Sequence, residues 1–441
     1  MAQPGLAASP WPWRINAAPK NDNGAWNADL VIDLRLARRC RAFGGAGRGL
    51  AAHGVEARVS APGDAEFAAL LARAGVPLAP AFAPVREWAK EMINRSRSAS
   101  PEDRARLIAG QATEIVARQY EALSLAAEGC DAVVAFGLFP SCAAARMVAE
   151  QRGMRYMLGT FCPIWLPSPH NRPHEYPSHP LPAGVTDNRL LWEMDIRTKN
   201  ALFGEAINGQ RASLGLPPVQ NVRDYVYGKR VLLACDPTLG PWPGSDLIDA
   251  VQAGAFIQPD ERPLPGALKA FLDAGPPRVY VGFGSISVAS EAGHAAIEAI
   301  RARGLRTVIA QGWAGLGPID DRDDCFAVGE VNQQALFGRV AAVIHHGGAG
   351  TTVAAARAGA AQVIVPQIGD QPYWARRVAE LGIGAAHDGP VPTVKSLSAA
   401  LEVALARKTR VHAAALAGKI RADGAEVAAR LLIKSLGESS R

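Results

Sequence analysis

The stretch best equipped for chemistry is V-I-H-H-G-G-A-G-T-T-V-A-A-A-R-A-G, Val343 to Gly359. An apolar run leads into His346, Gly347, Gly348 and Gly350, and Thr351 and Thr352 then open an Ala-rich helix. Glycines let a backbone approach a ligand, the first N–H groups of a helix have no intrahelical partner, and the helix dipole favours negative charge there. Such a junction is an anion site by construction. The hydroxyls of Thr351 and Thr352 and the ring of His346 add donors, as a departing diphosphate requires while its bond breaks. A strand–glycine–helix turn with capping threonines also serves plain packing, so alone the motif leaves both readings open.

Two further pieces tip the balance. In V-I-V-P-Q-I-G-D-Q-P, Val363 to Pro372, Pro366 ends a strand and the turn places Asp370 and Gln371 at the same sheet edge. A carboxylate beside an amide suits the vicinal hydroxyls of a hexose. In G-F-G-S, Gly282 to Ser285, another strand ends in a backbone turn and a hydroxyl near the phosphates.

These loops need a scaffold, and the chain supplies one. Its 441 residues are 49% hydrophobic and 20% charged, enough for large cores and too many for one compact domain. Short apolar runs alternate with helical segments from residue 48 onward, the pattern of doubly wound α/β sheets. The first cycle has strands at Gly54 to Val59, Ala132 to Phe139 and Tyr156 to Phe161; the second begins with Arg278 to Phe283 and continues to Ala341 to His345. The proline-dense run Asp236 to Pro265 separates the cycles, with the linker placed at 241–265. Ligand crevices of such sheets lie at the carboxyl ends of the strands.

Composition also excludes. No apolar run reaches the length of about 18 residues that a spanning helix needs, and no secretory signal is visible, so a cytoplasmic protein is expected. The six cysteines are widely spaced, never as C-x-x-C, which speaks against zinc ribbons. The net charge of +6 is dispersed, against a nucleic-acid partner. A Pro- and His-rich loop, Pro163 to Pro182, carries His170, His174 and His179, but its prolines keep them off a common helix face. Metal binding is not expected there.

H-x-G-x-x-T-T followed by D-Q resembles the nucleotide-sugar glycosyltransferases of family one, with the two-domain GT-B fold. The likeness is to the bacterial branch that decorates natural-product aglycones such as vancomycin-type glycopeptides. It runs from about residue 48 to the C-terminus. The resemblance implies two Rossmann-like domains facing across a cleft: 48–240 for the acceptor, 266–424 for the donor, and a helix at 425–441 returning to the first domain. It implies that His346, Gly348, Gly350, Thr351, Thr352 and Ser285 hold the donor diphosphate. Asp370 and Gln371 would hold the sugar, and Val331 and Asn332 would lie against the base. The partners are then a nucleotide sugar, as co-substrate, and a small-molecule aglycone. No further cofactor and no metal are expected, since His346 and the helix start meet the leaving-group charge and no D-x-D triplet stands in a metal-site context. A monomer is expected.

The opening departs from the family. Members of this branch begin with a strand and G-S-R-G-D-V-x-P, whose Asp removes the acceptor proton; here 1–47 looks unlike a Rossmann start, with Arg35, Arg38, Arg39, Cys40 and Arg41 at that place. Back-translated and read one base later, Asn27 to Gly47 can yield that motif, so a single-base frame change near Gly47 to Arg48 with a spurious upstream start is expected, and the catalytic base is unassigned. If the frame is genuine, Met1 to Trp26 should be disordered. The expected reaction is an inverting, single-displacement hexosyl transfer from a UDP- or dTDP-sugar. Two other readings stay open: a non-catalytic nucleotide-sugar binder or enzyme remnant, and a UDP-sugar epimerase, which would act on donor alone.

Overall fold

The computed structural model describes residues 30–34, 46–81, 84–85, 100–176, 178–275, 277–284 and 290–437. The first sheet has seven parallel strands: β1 (Leu30–Leu34), β2 (Ala57–Ala61), β3 (Leu78–Pro80), β4 (Ala132–Phe136), β5 (Arg155–Thr160), β6 (Arg230–Leu233) and β7 (Asp249–Gln252). The second has six: β8 (Arg278–Gly282), β9 (Arg306–Ala310), β10 (Cys325–Val328), β11 (Ala342–His345), β12 (Ala361–Ile364) and β13 (Gly384–Ala386). Their orders are β3-β2-β1-β4-β5-β6-β7 and β10-β9-β8-β11-β12-β13. In each, chain order reverses beside the first strand, between β1 and β4 and between β8 and β11, so the following loops diverge and open a crevice.

Sequence dictates this locally. A-V-V-A-F in β4 and A-V-I-H in β11 are buried throughout, as strands covered on both faces must be. The helix Pro101–Ala126 starts on Ser100, whose hydroxyl accepts from Asp103 N at 3.1 Å, with Pro101 in its first turn. Thr393 and Ser396 close a capping box on the helix Val394–Leu405.

Two expectations are corrected. Residues 1–47 do contain a Rossmann-type first strand: L-V-I-D-L pairs with β2 (Leu30↔Ala57) and with β4 (Leu30↔Ala132). Five residues ahead of an arginine-rich run gave too little pattern to show it. Met1 to Trp26 and Arg35 to Arg41 lie outside the described residues. The linker is also shorter than 241–265, because β7 pairs with β6 (Arg230↔Asp249) and completes the first sheet. D-A-V-Q is a half-buried edge strand between prolines, which hid it.

The last helix, Gly424–Gly437, lies on the first domain, where Ala425, Ala428, Ala429 and Leu432 join Leu50, Val59 and Phe67 in one core. The returning chain crosses the linker at close range, since a Cβ on Gly424 would stand 2.4 Å from Ala255 O. Asp236, fully buried, clasps this crossing: its carboxylate accepts from Thr238 N (2.8 Å), Leu239 N (3.3 Å) and Arg421 N (2.9 Å). A second core joins the domains beneath the cleft, combining Cys162, Leu166, Cys235 and Leu239 with Ile364, Tyr373 and Trp374. Trp374, 1% exposed, is its largest member. Trp374→Ala should therefore cost about 3–5 kcal/mol of unfolding free energy; chemical denaturation measures it, and a change below about 1 kcal/mol would show that this core does not couple the domains.

Candidate functional site

The anion cradle forms where β11 runs into the helix Ala349–Arg357. Gly347 turns the chain at φ +89°, where a Cβ would stand 2.6 Å from Ile364 Cγ2 and 3.2 Å from Gln371 O. Only glycine fits. Gly348 is the helix N-cap and has no side chain to accept from the first-turn N–H groups, which suits them to an external anion. His346 and Thr351 are each 3% exposed and Thr352 is fully buried, its hydroxyl donating to Gly348 O at 3.0 Å. The structure thus brings His346, Gly348, Gly350, Thr351 and Thr352 into one loop and helix start. Ser285 lies outside the described residues; the adjacent Gly284, at the end of the β8 turn, accepts from Trp313 N at 2.9 Å.

The second turn leads into the helix Gln371–Glu380. Gln371 commits its side-chain carbonyl to that turn, accepting from Gln367 N (2.7 Å) and Ile368 N (3.1 Å), so what it can offer a sugar hydroxyl is its amide N–H. Asp370 is the helix N-cap, and its carboxylate accepts from Trp374 Nε1 at 3.1 Å. A Cβ on Gly369 would stand 3.9 Å from Trp165 Cζ2, so the Pro- and His-rich loop of the first domain meets this turn across the cleft. No motif marks Trp165; its place emerges only from the tertiary fold.

At the expected base-binding position the side chains are otherwise engaged. Val331 is packed with Leu336 and Phe337. Asn332 caps the helix Gln333–Phe337 by accepting from Ala335 N (3.0 Å), and its amide donates to Asp260 O (2.6 Å) and Arg262 O (2.8 Å) of the linker. Asparagine before a short helix is a capping signal as well as a ligand signal, and here capping takes the side chain.

The loop 163–182 is held firmly. Tyr227 donates to Trp165 O (2.7 Å), Trp192 Nε1 to Asn171 O (2.8 Å) and Asn188 to Pro169 O (2.9 Å). Beneath it Lys199 and Asp195 form a buried ion pair (2.7 Å) with Arg223 3.7 Å away, and the Lys199 ammonium stands over the Phe139 and Tyr176 rings. Burial lowers the Lys199 ammonium from its usual range, against the opposing pull of Asp195. His174 stacks on Trp165, ring centroids 4.7 Å apart, and His179 pairs with Ser178. Among the described residues no group of three His, Cys, Asp or Glu is placed to hold a metal ion. Asp320 and Asp324 are ion-paired with Arg301 at 2.9 and 2.6 Å. At the cleft rim Arg73 pairs with Glu330 (3.0 Å) and Trp313 donates to Glu66 (3.0 Å), tying the domains together.

Two doubly wound domains, with an anion cradle in one facing an acceptor-side loop of the other, define the GT-B architecture. Solved structures share it: a glycosyltransferase of kitacinnamycin superposes with TM-score 0.65 at 18% identity, covering 93% of this chain and 98% of that one. The spinosyn rhamnosyltransferase SpnG complexed with thymidine diphosphate gives 0.62 at 19%, covering 92% and 100%. Residues 322–432 match the family described as erythromycin biosynthesis protein CIII-like, C-terminal domain. The chain is 50% identical over 389 residues to glycosyltransferase GtfE of Amycolatopsis orientalis, covering 88% of this chain and 93% of that protein. To the vancomycin aglycone glucosyltransferase of the same organism it is 49% identical, covering 87% and 91%. The chain belongs to the family-one GT-B glycosyltransferases, in the glycopeptide branch. Among the described residues no helix is long and apolar enough to cross a membrane.

Two outcomes follow. Gly347→Ala should weaken UDP and dTDP binding by more than about tenfold in calorimetric titration, because the strained turn displaces the N–H groups; unchanged affinity would place the anion elsewhere. Burial, then the neighbouring Lys199 charge, lowers His174 from 6.5 to about 4. The unfolded chain takes up this proton as pH falls through about 6.5 while the folded loop resists until about 4, so stability is intact above that window and declines through it. His174→Gln should flatten this part of the melting-temperature profile; an equally steep profile in the variant would assign the acid sensitivity to other groups.

Proposed function

We propose that this chain transfers a hexose from a UDP- or dTDP-sugar to a hydroxyl of a natural-product aglycone, by single displacement with inversion and without metal or cofactor. The acceptor oxygen forms the new bond to the anomeric carbon as the bond to the diphosphate oxygen breaks on the opposite face. The electron pair leaves with the nucleoside diphosphate, and the acceptor proton goes to a base of the first domain. The observation that carries the reading is the uncapped helix start at Gly348, placed beside β8 and opposite the Trp165 loop. There the N–H groups and His346 provide the leaving-group stabilisation that a divalent ion provides in other enzymes. The relatives' names agree on the substrate class, one being a vancomycin aglycone glucosyltransferase and another, 45% identical, a dTDP-epi-vancosaminyltransferase.

Two carboxylates near the ends of β2 and β6 are taken up by main-chain hydrogen bonds. Asp64 is held by Val85 N (2.9 Å) and Asp236 by the chain crossing. In the family the Asp follows the first strand; residues 35–45, which follow β1 here, hold four arginines and a cysteine and no acid. Transfer is therefore expected to run about 10²- to 10⁴-fold slower than in a relative carrying that Asp, with donor binding intact.

Calorimetric titration with UDP and dTDP in chelator and moderate salt tests the donor site. Saturable binding of either, weakened at least about tenfold by His346→Ala, is expected. No binding by a well-folded sample would overturn the reading. Proton NMR of the product from an α-linked donor should show the β-anomer; retention would reject the single displacement.

A further inference from the structure

His345 and Gln362 are both fully buried, in strands whose other members are Ala, Val and Ile apart from the residues themselves. A buried polar side chain is costly unless hydrogen-bonded, and these two form part of one directed chain. Gly347 N donates to His345 Nδ1 at 3.1 Å. That contact leaves the ring proton on Nε2, which donates to Gln362 Oε1 at 2.9 Å. Gln362 Nε2 in turn donates to the Thr352 carbonyl at 3.4 Å. The chain thus begins on the backbone of the glycine turn and ends on the first turn of the cradle helix.

We propose that His345 and Gln362 are positioning residues for the donor diphosphate, holding the Gly347 turn and the Thr352 carbonyl in the one mutual arrangement that aims the uncapped start of the cradle helix at the donor. This rests on the reading that the cradle binds the diphosphate. Neither side chain touches the donor. Each acts through backbone it holds, as an outer-shell residue orients a direct ligand. Gly347 also lies against Ile364 and Gln371, so a shifted turn disturbs the sugar side of the site as well.

Asparagine and leucine share a side-chain skeleton of four heavy atoms branched at Cγ but differ in hydrogen-bonding capacity. Asparagine Oδ1 can stand where Nδ1 stands and accept from Gly347, whereas leucine cannot. Calorimetric titration of the full chain with UDP and dTDP, with ligand-free melting temperature beside it, separates positioning from packing. His345→Leu should bind about tenfold to hundredfold more weakly, and His345→Asn should recover most of that loss. The double variant His345→Leu with Gln362→Met removes the orphaned amide and should regain melting temperature without regaining affinity. Affinity that returns along with stability, or a leucine variant that binds like the unsubstituted chain, would overturn the positioning role. His346→Ala serves as the reference. If it binds normally, the cradle is not the diphosphate site and the proposed function itself falls.

Discussion

Between the end of β11 and the first turn of the following helix the chain has three residues, His346, Gly347 and Gly348, in which to reverse from sheet to helix. It does so at a positive φ, against Ile364 and Gln371, where any Cβ would collide. That constraint decides where the helix N–H groups point. If the turn opened by even a side chain's width, the groups would diverge and the dipole would face protein. Strand order supplies the rest, because β11 and β8 are neighbours whose loops leave in opposite directions and keep the cradle open toward the first domain.

The helix that carries Asp370 and Gln371 also carries Trp374, buried in the core that joins the domains, and Arg377, whose guanidinium donates to Leu239 O at 2.9 Å. The sugar-side turn is therefore registered to the first domain through a few residues of its own helix. Contacts at the other edge of the cleft are of a different kind. Arg73 with Glu330 and Glu66 with Trp313 are largely exposed, and exposed ion pairs contribute little to stability. The domains are thus joined by a fixed apolar base and a weakly tied rim, with the chains crossing closely at Gly254 and Gly424.

What could be read from the residues follows from how local each feature is. The cradle was legible because glycine and threonine at those spacings act through backbone geometry, which needs no tertiary partner. Two doubly wound domains were legible because strands covered on both faces read as apolar runs. Asn332 shows the limit: its type and position fit both a base contact and a helix cap, and the choice depends on linker carbonyls 70 and 72 residues away. Gln371 is similar, with its carbonyl drawn into its own turn. β1 and β7 escaped because their identity comes from the strands beside them. Trp165 and the buried Lys199–Asp195 pair have no sequence signature, since their meaning lies in what the fold sets against them.

In the proposed reaction the two halves of the chemistry are housed in different domains. Leaving-group stabilisation, as proposed, would rest on backbone N–H groups whose direction the glycine turn fixes. Proton removal would fall to a base of the first domain, and residues 35–45, which follow β1, hold four arginines and a cysteine and no acid. On that reading donor binding does not depend on the base. The approach of the Trp165 loop to the Gly369 turn brings the two domains together at the cleft. It is there, between acceptor oxygen and anomeric carbon, that an intact base would have to act.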